Sequence, residues 1–193
     1  VNEGITIIVP TVGRDTLQQT LESFAGDVTA ADDVFVIHDG PQENDQPGAW
    51  VRLYARQSAG DWFFLQRDKR QGRFGHPNRN HILENHVSTT HVWTIDDDDV
   101  AAPGALGKLR EHMHEPWCIF QMWFGENSPH PGVTLPYTRK ITYGNLGTPM
   151  IFAPWTKARF GHHYSGDFDY AKGLHAELGD PVWVDEPIAI IRP

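Results

Sequence analysis

"HVWTIDDDDV", residues 91–100, sets an apolar, β-rich run directly against four consecutive aspartates. The first five residues have the composition of a strand buried on both faces, as in a parallel sheet. In such a sheet ligands bind beyond the carboxyl ends of the strands, which is where the carboxylates fall. Along an extended backbone Asp96 and Asp98 point to the same side, about 7 Å apart at roughly 3.3 Å per residue.

Working outward, "ITIIVP" (5–10), "DVFVIHDG" (33–40) and "WFFLQ" (62–66) read as three earlier buried strands. Helical patterns separate them. Leu17, Leu21 and Phe24 share one face of a helix, for which Asp15 and Gln18 have capping-box spacing. Trp50, Val51 and Tyr54 mark a second helix, and Ile82 with Leu83 a third starting near Asn80. Alternation of this kind predicts βαβ crossovers and an α/β fold with a mostly parallel central sheet. After the aspartates, Pro103 opens a helix carrying Leu106, Leu109 and Met113, and "CIFQMWF" (118–124) is a further strand. Residues 125–147 have the Gly, Pro and Asn content of a long loop or edge hairpin. "PMIFA" (149–153) resumes the sheet, "DFDYAKGLHAEL" (167–178) is helical, and "VWVDEPIAIIR" closes with two short strands.

The 193 residues suit one domain with one sizeable core. The net charge of −9, without a long basic stripe, argues against a nucleic-acid polymer as partner. "RDKRQGR" (67–73) is a local basic run, readable as a small-anion site or as a solvated loop. The lone Cys118, inside "WCIFQMWF", has no internal disulfide partner and reads as a buried thiol. No apolar run is long enough for a membrane span and no leader is visible, so the cytoplasm is the expected location.

Adjacent carboxylates repel, by about 1 kcal/mol at 4 Å even in water, and a hard divalent cation relieves that repulsion. Oxygen donors without a His or Cys cluster favour Mg²⁺ or Mn²⁺, with substrate phosphates completing the shell. A calcium-binding EF-hand loop from Asp96 requires Gly and Glu where Ala101 and Gly107 stand. A P-loop fails at "GALGKL" (104–109), which has the wrong spacing. "IDDDDV" also satisfies the D-x-D-x-[TV] pattern of haloacid-dehalogenase-like phosphatases. Against that stand the three strand-helix units before it and Ala171 where their later motif has an aspartate. A solvated acidic turn is the remaining alternative.

Taken in order, "IVPTVGR", "VIHDG", "GHPNRN", "IDDDD" with Pro103, "GTPMIF", "SGDFDYAKGL" and "VDEPIAIIR" resemble an inverting glycosyltransferase of family 2, with the GT-A fold, over most of the chain. The resemblance implies a single domain, residues 1–193, with 1–100 as the nucleotide-binding half and 101–193 as the half for the acceptor and catalytic base. It implies that Pro10, Thr11 and Val12 line the nucleotide pocket beside Arg14. Asp39 takes the place of the aspartate that reads the base, usually uracil. Gly75 and Arg79 match the Gly and Arg-Asn elements, with Arg79 touching phosphate or bracing the acidic motif. The D-x-D-D motif maps onto Asp96, Asp97, Asp98 and Asp99. Asp98 is then the direct ligand of Mn²⁺ or Mg²⁺, and Asp96 reaches ribose or donor sugar beside the metal. Asp167 is the implied base, with Gly166 in place of a glutamate and Asp169 as the substitute. His163, or His162, is implied as a late metal ligand. His38 and Pro41 depart from the family pattern around Asp39, and the step from Gly75 to Arg79 is one residue short.

The implied activity moves a sugar from a nucleotide diphosphate, a UDP-sugar, to a hydroxyl of a glycan or small-molecule acceptor with inversion. The chain is short for the family, so residues 125–147 and 162–165 are expected to supply acceptor contacts. The phosphatase and a degenerate GT-A domain that binds without turnover are the alternatives.

Overall fold

The computed structural model describes residues 2–41, 45–126, 128 and 130–192. Its centre is one nine-stranded sheet. Strands β1 (Asn2–Thr11), β2 (Asp33–His38), β3 (Asp61–Gln66) and β4 (Thr89–Thr94) are parallel neighbours in the order β3-β2-β1-β4. Helices α1 (Leu17–Ala25), α2 (Gln46–Ala55) and α3 (His76–Asn85) connect them.

Beyond β4 the sheet becomes mixed. The chain adds β5 (Val100–Ala101), α4 (Ala105–Glu111), β6 (Cys118–Phe124), β7 (Thr134–Leu135), β8 (Ile151–Pro154), α5 (Gly166–Leu178) and β9 (Val182–Ile191). β8 runs antiparallel to both β4 and β6, whereas β9 is parallel to β6.

Side-chain alternation along β1 sorts the core into two layers. Ile5, Ile7 and Val9 pack with Leu17, Leu21 and Phe24 of α1, Val51 and Tyr54 of α2, and Leu106 and Leu109 of α4. Ile8 belongs to the opposite layer, with Ile82 and Leu83 of α3 and Tyr170, Ala171 and Leu174 of α5. Cys118 is buried and free, and burial pushes its thiol up to about 12, which leaves it inert.

Several local expectations are corrected. Thr16 is the N-cap of α1 and makes no side-chain capping bond, so the Asp15–Gln18 box is not formed. α3 begins at His76, four residues before Asn80, because left-handed Gly75 breaks the preceding chain and Pro77 suits the first turn. The closing segment is one strand, β9, with register shifts against β6 on either side of Pro187. A proline supplies no ladder N–H, so the strand bulges there and continues. Within 125–147, β7 pairs with Met122 and Trp123 of β6; residues 127 and 129 lie outside the described residues.

Candidate active site

The carboxyl ends of β1, β2 and β4 open into a cavity of about 340 Å³. β1 delivers Pro10, Thr11, Val12 and Arg14 to it, the turn after β2 delivers Asp39, and the turn after β4 delivers Asp96, Asp97 and Asp98. Gly75 lines it from the loop before α3. The basic run also belongs here, since Arg70, Gly72 and Arg73 line the same cavity.

The four aspartates have different surroundings. Asp97 is buried and accepts from the Thr11 hydroxyl (2.6 Å), the Val12 amide (3.3 Å) and the Arg14 guanidinium, so it ties the end of β1 to the acidic turn. Arg14 Nη1 also lies 3.3 Å from Asp98. Burial depresses the Arg14 guanidinium, but Asp97 and Asp98 outweigh it and hold its pKa above the usual value. Asp98 is partly open, with a side chain 37% exposed, close to the 34% of Asp96. Asp99 is buried; loss of hydration, then the charges of Asp96 and Asp98, raise its pKa well above the carboxylate range.

Arg79 does not line the cavity; it is fully buried beneath it. Its Nε donates to the Thr94 hydroxyl (3.0 Å), its Nη1 to the Phe74 carbonyl (2.7 Å), and its Nη2 to Asp96. The bond to Asp96 is the contact that the bracing role requires. Asp96 keeps a raised pKa, first from burial and then from Asp98 and Asp97, with Arg79 pulling the other way.

Among the described residues no group of three or more His, Cys, Asp or Glu side chains could hold a metal ion alone. Mg²⁺ and Mn²⁺ at nucleotide sites need only one or two carboxylates, with substrate phosphates completing the shell. Asp96 and Asp98 meet that description: both line the cavity, both are oxygen donors, and the repulsion between them is what a cation relieves. The residues present therefore fit the group. His163 is placed elsewhere, with Nε2 at 2.6 Å from Asp169 Oδ2. His162 meets Arg73 Nη1 at 3.0 Å.

Asp39 organises the basic loop. Its two carboxylate oxygens accept the backbone N–H groups of Gln71 and Gly72, both at 2.8 Å. From Gly72 to Gly75 four successive residues hold positive φ, including Arg73 (55°) and Phe74 (58°). A Cβ on Gly75 would come within 2.9 Å of Pro10, so glycine is required by both conformation and space.

Asp167 lies in the first turn of α5, whose N-cap is Ser165. Its Oδ1 accepts the Phe168 N–H at 2.8 Å. Burial is the main cause that pushes its carboxyl up to about 6; the helix amide and Arg79 oppose this and Asp96 adds to it. Gly166 packs so closely that a Cβ would lie 2.3 Å from the Gly161 carbonyl and 2.6 Å from the His76 ring. The glutamate that the resemblance expects there has no room. His76 stacks on Phe160 and its Nδ1 is 3.2 Å from Arg79 Nη1, so contacts run from Asp96 through Arg79 and His76 to the residue beside Asp167. Burial and then Arg79 lower the His76 pKa to about 3, keeping it neutral.

Sequence reading missed three contributors. His76 and Asn78 lie inside "GHPNRN", where only Gly75 and the Arg79-Asn80 pair match the family pattern. Arg192, near the end of the chain, donates to the Asp98 carbonyl (3.0 Å) and the Asp99 carbonyl (3.3 Å), clasping the acidic turn from behind. No local pattern marks a residue that acts on a loop 94 positions away.

The sheet order and the acidic turn define the GT-A fold. The model of glycosyl transferase family 2 matches residues 6–165, and the chain belongs to that family. No curated protein matches the sequence. Among solved structures, S. aureus TarS superposes with a TM-score of 0.76 at 16% identity, covering 98% of this chain and 36% of that one. Its 1–349 form in complex with UDP-GlcNAc gives 0.75 at 17% identity, over 98% and 58%. The mannosyltransferase PcManGT from Pyrobaculum calidifontis, in complex with GDP-Man and Mn²⁺, gives 0.67 at 14% identity, over 96% and 56%. This chain thus spans between about a third and three-fifths of the length of those proteins. Among the described residues no helix is long and apolar enough to cross a membrane.

Proposed function

We propose that the chain is an inverting glycosyltransferase that moves a sugar from a nucleotide diphosphate, a UDP-sugar, to an acceptor hydroxyl with Mn²⁺ or Mg²⁺. The observation that carries this reading is the cavity that joins Asp39 to Asp96 and Asp98 at the carboxyl ends of β1, β2 and β4. Residues 1–100 form the donor half. Asp39 and the ends of β1 and β2 hold the nucleoside, while Arg14, Asp96 and Asp98 face the diphosphate. Asp96 and Asp98 would hold the cation, which when bound offsets the charge of the departing diphosphate.

Asp167, in the second half, takes the proton of the attacking acceptor hydroxyl. Its raised pKa suits a base that works near neutrality. A single base acting on the acceptor hydroxyl corresponds to direct displacement and inversion. The acceptor, a glycan or a small molecule, approaches past residues 125–147 and 162–165. Two assays test the reading. A melting-temperature panel of nucleotide sugars with and without Mn²⁺ should give a Mn²⁺-dependent rise for a UDP-sugar, since ligands that bind only the folded state stabilise it. Release of phosphate from a generic phosphomonoester, lost in Asp96→Asn, would instead support the phosphatase.

A further inference from the structure

Asn78 stands in the first turn of α3 with no exposed surface, yet neither its amide nitrogen nor its amide oxygen has a hydrogen-bond partner. Leaving such groups unpaired in the folded state is costly. Of the described residues with buried unpaired side-chain atoms, Asn78 alone lines the cavity. It lies one helical turn before Ile82, which packs in the layer of Ile8, Phe35 and Ile37 from β1 and β2. Asn78 and Asp39 line the same cavity. The loop from Gly72 to Gly75, fastened to Asp39 at Gly72, runs directly into the turn that carries it.

We propose that the Asn78 carboxamide, acting with Asp39, selects the donor's nucleobase by an N–H flanked by a carbonyl, an edge that uracil and guanine share and adenine and cytosine lack. Each Asp39 oxygen accepts one backbone N–H and retains acceptor capacity for the base N–H. Asn78 Nδ2 donates to the neighbouring base carbonyl, and Oδ1 is left to accept a ribose hydroxyl. The cost of the unpaired amide is thereby recovered only when the right nucleoside is bound. The inference rests on the nucleoside-diphosphate reading of the cavity and names what that site discriminates.

The test is calorimetry of UDP, GDP, CDP and ADP with Mn²⁺ on the wild type and on Asn78→Leu, which keeps the volume and removes both polar groups. Asn78→Ala serves as a second variant should leucine obstruct the cavity. The wild type should prefer UDP or GDP over CDP and ADP. The variants should weaken the preferred nucleotide by about tenfold more than CDP and ADP, the worth of a typical hydrogen bond to the base, because the ribose contact is common to all four. Without ligand, Asn78→Leu should melt no lower than the wild type. Equal weakening of all four nucleotides, unchanged UDP and GDP binding, or a lowered melting temperature for ligand-free Asn78→Leu would overturn the assignment. A wild type that binds UDP while the variants match it sinks only the role of Asn78; a wild type that binds none of the four sinks the donor reading as well.

Discussion

Arg79 donates to Asp96 from a position with no solvent exposure, so the acidic turn is aimed by a cation that no ligand in the cavity needs to touch. The same guanidinium holds Thr94 at the end of β4 and the Phe74 carbonyl of the left-handed loop. Strand, loop and carboxylate are thus registered by one side chain. Removing one partner of a buried pair costs about 3–5 kcal/mol. Because Asp96 is 34% exposed, Arg79→Met should cost less, about 2–3 kcal/mol, read from the denaturant midpoint.

Asp97 and Asp98 should separate by experiment although they are neighbours. Asp97→Asn removes the charged acceptor of Thr11, Val12 and Arg14, and should lower stability by about 1–3 kcal/mol. Asp98→Asn touches only an open side chain and Arg14, so stability should change by less than about 0.5 kcal/mol while Mn²⁺-supported turnover falls. Equal melting curves for the two variants would contradict this division of labour.

Asp167→Asn should lower kcat by about 10²- to 10⁴-fold while donor affinity is retained. In the wild type the basic form exists above a pKa of about 6, so kcat should fall as pH drops through that value. The stability effect has the opposite sense. A carboxyl raised from 3.8 to about 6 by folding favours the native state while protonated, and that contribution disappears as pH rises through about 6. Asp167→Asn mimics the protonated form and should therefore melt above the wild type at pH 8, with little difference near pH 3.5.

His163 is engaged by Asp169 and is not among the residues that line the cavity of the acidic turn. His163→Ala should leave the Mn²⁺ affinity of the nucleotide complex unchanged, measured by titration with the metal. A weakening of tenfold or more would return His163 to the ligand set.

The parts of this architecture that rest on short-range chemistry were legible in the sequence. The β-branched runs of β1, β2 and β4 and the apolar face of α1 announce themselves by composition and period, and they alone put Asp39 and the four aspartates at one edge. Roles settled by distant contacts were hidden. Nothing in "DDDD" says that Asp97 is spent on Thr11 and Arg14 while Asp98 stays open, because the difference lies in a loop more than 80 residues away. Arg192 was invisible for the same reason. The start of α3 was misplaced because His76, Pro77 and Asn78 are poor helix-interior residues, suited instead to a first turn.

The central claim is that the open carboxylates after β4 bind a divalent cation together with a nucleoside diphosphate. Calorimetric titration of UDP into the wild type, with Mn²⁺ and then with EDTA, and into Asp98→Asn, measures this directly. The account predicts UDP binding that weakens by tenfold or more when Mn²⁺ is withdrawn, and a variant whose affinity with Mn²⁺ matches the wild type in EDTA. UDP affinity that is indifferent to both the metal and Asp98 would contradict it.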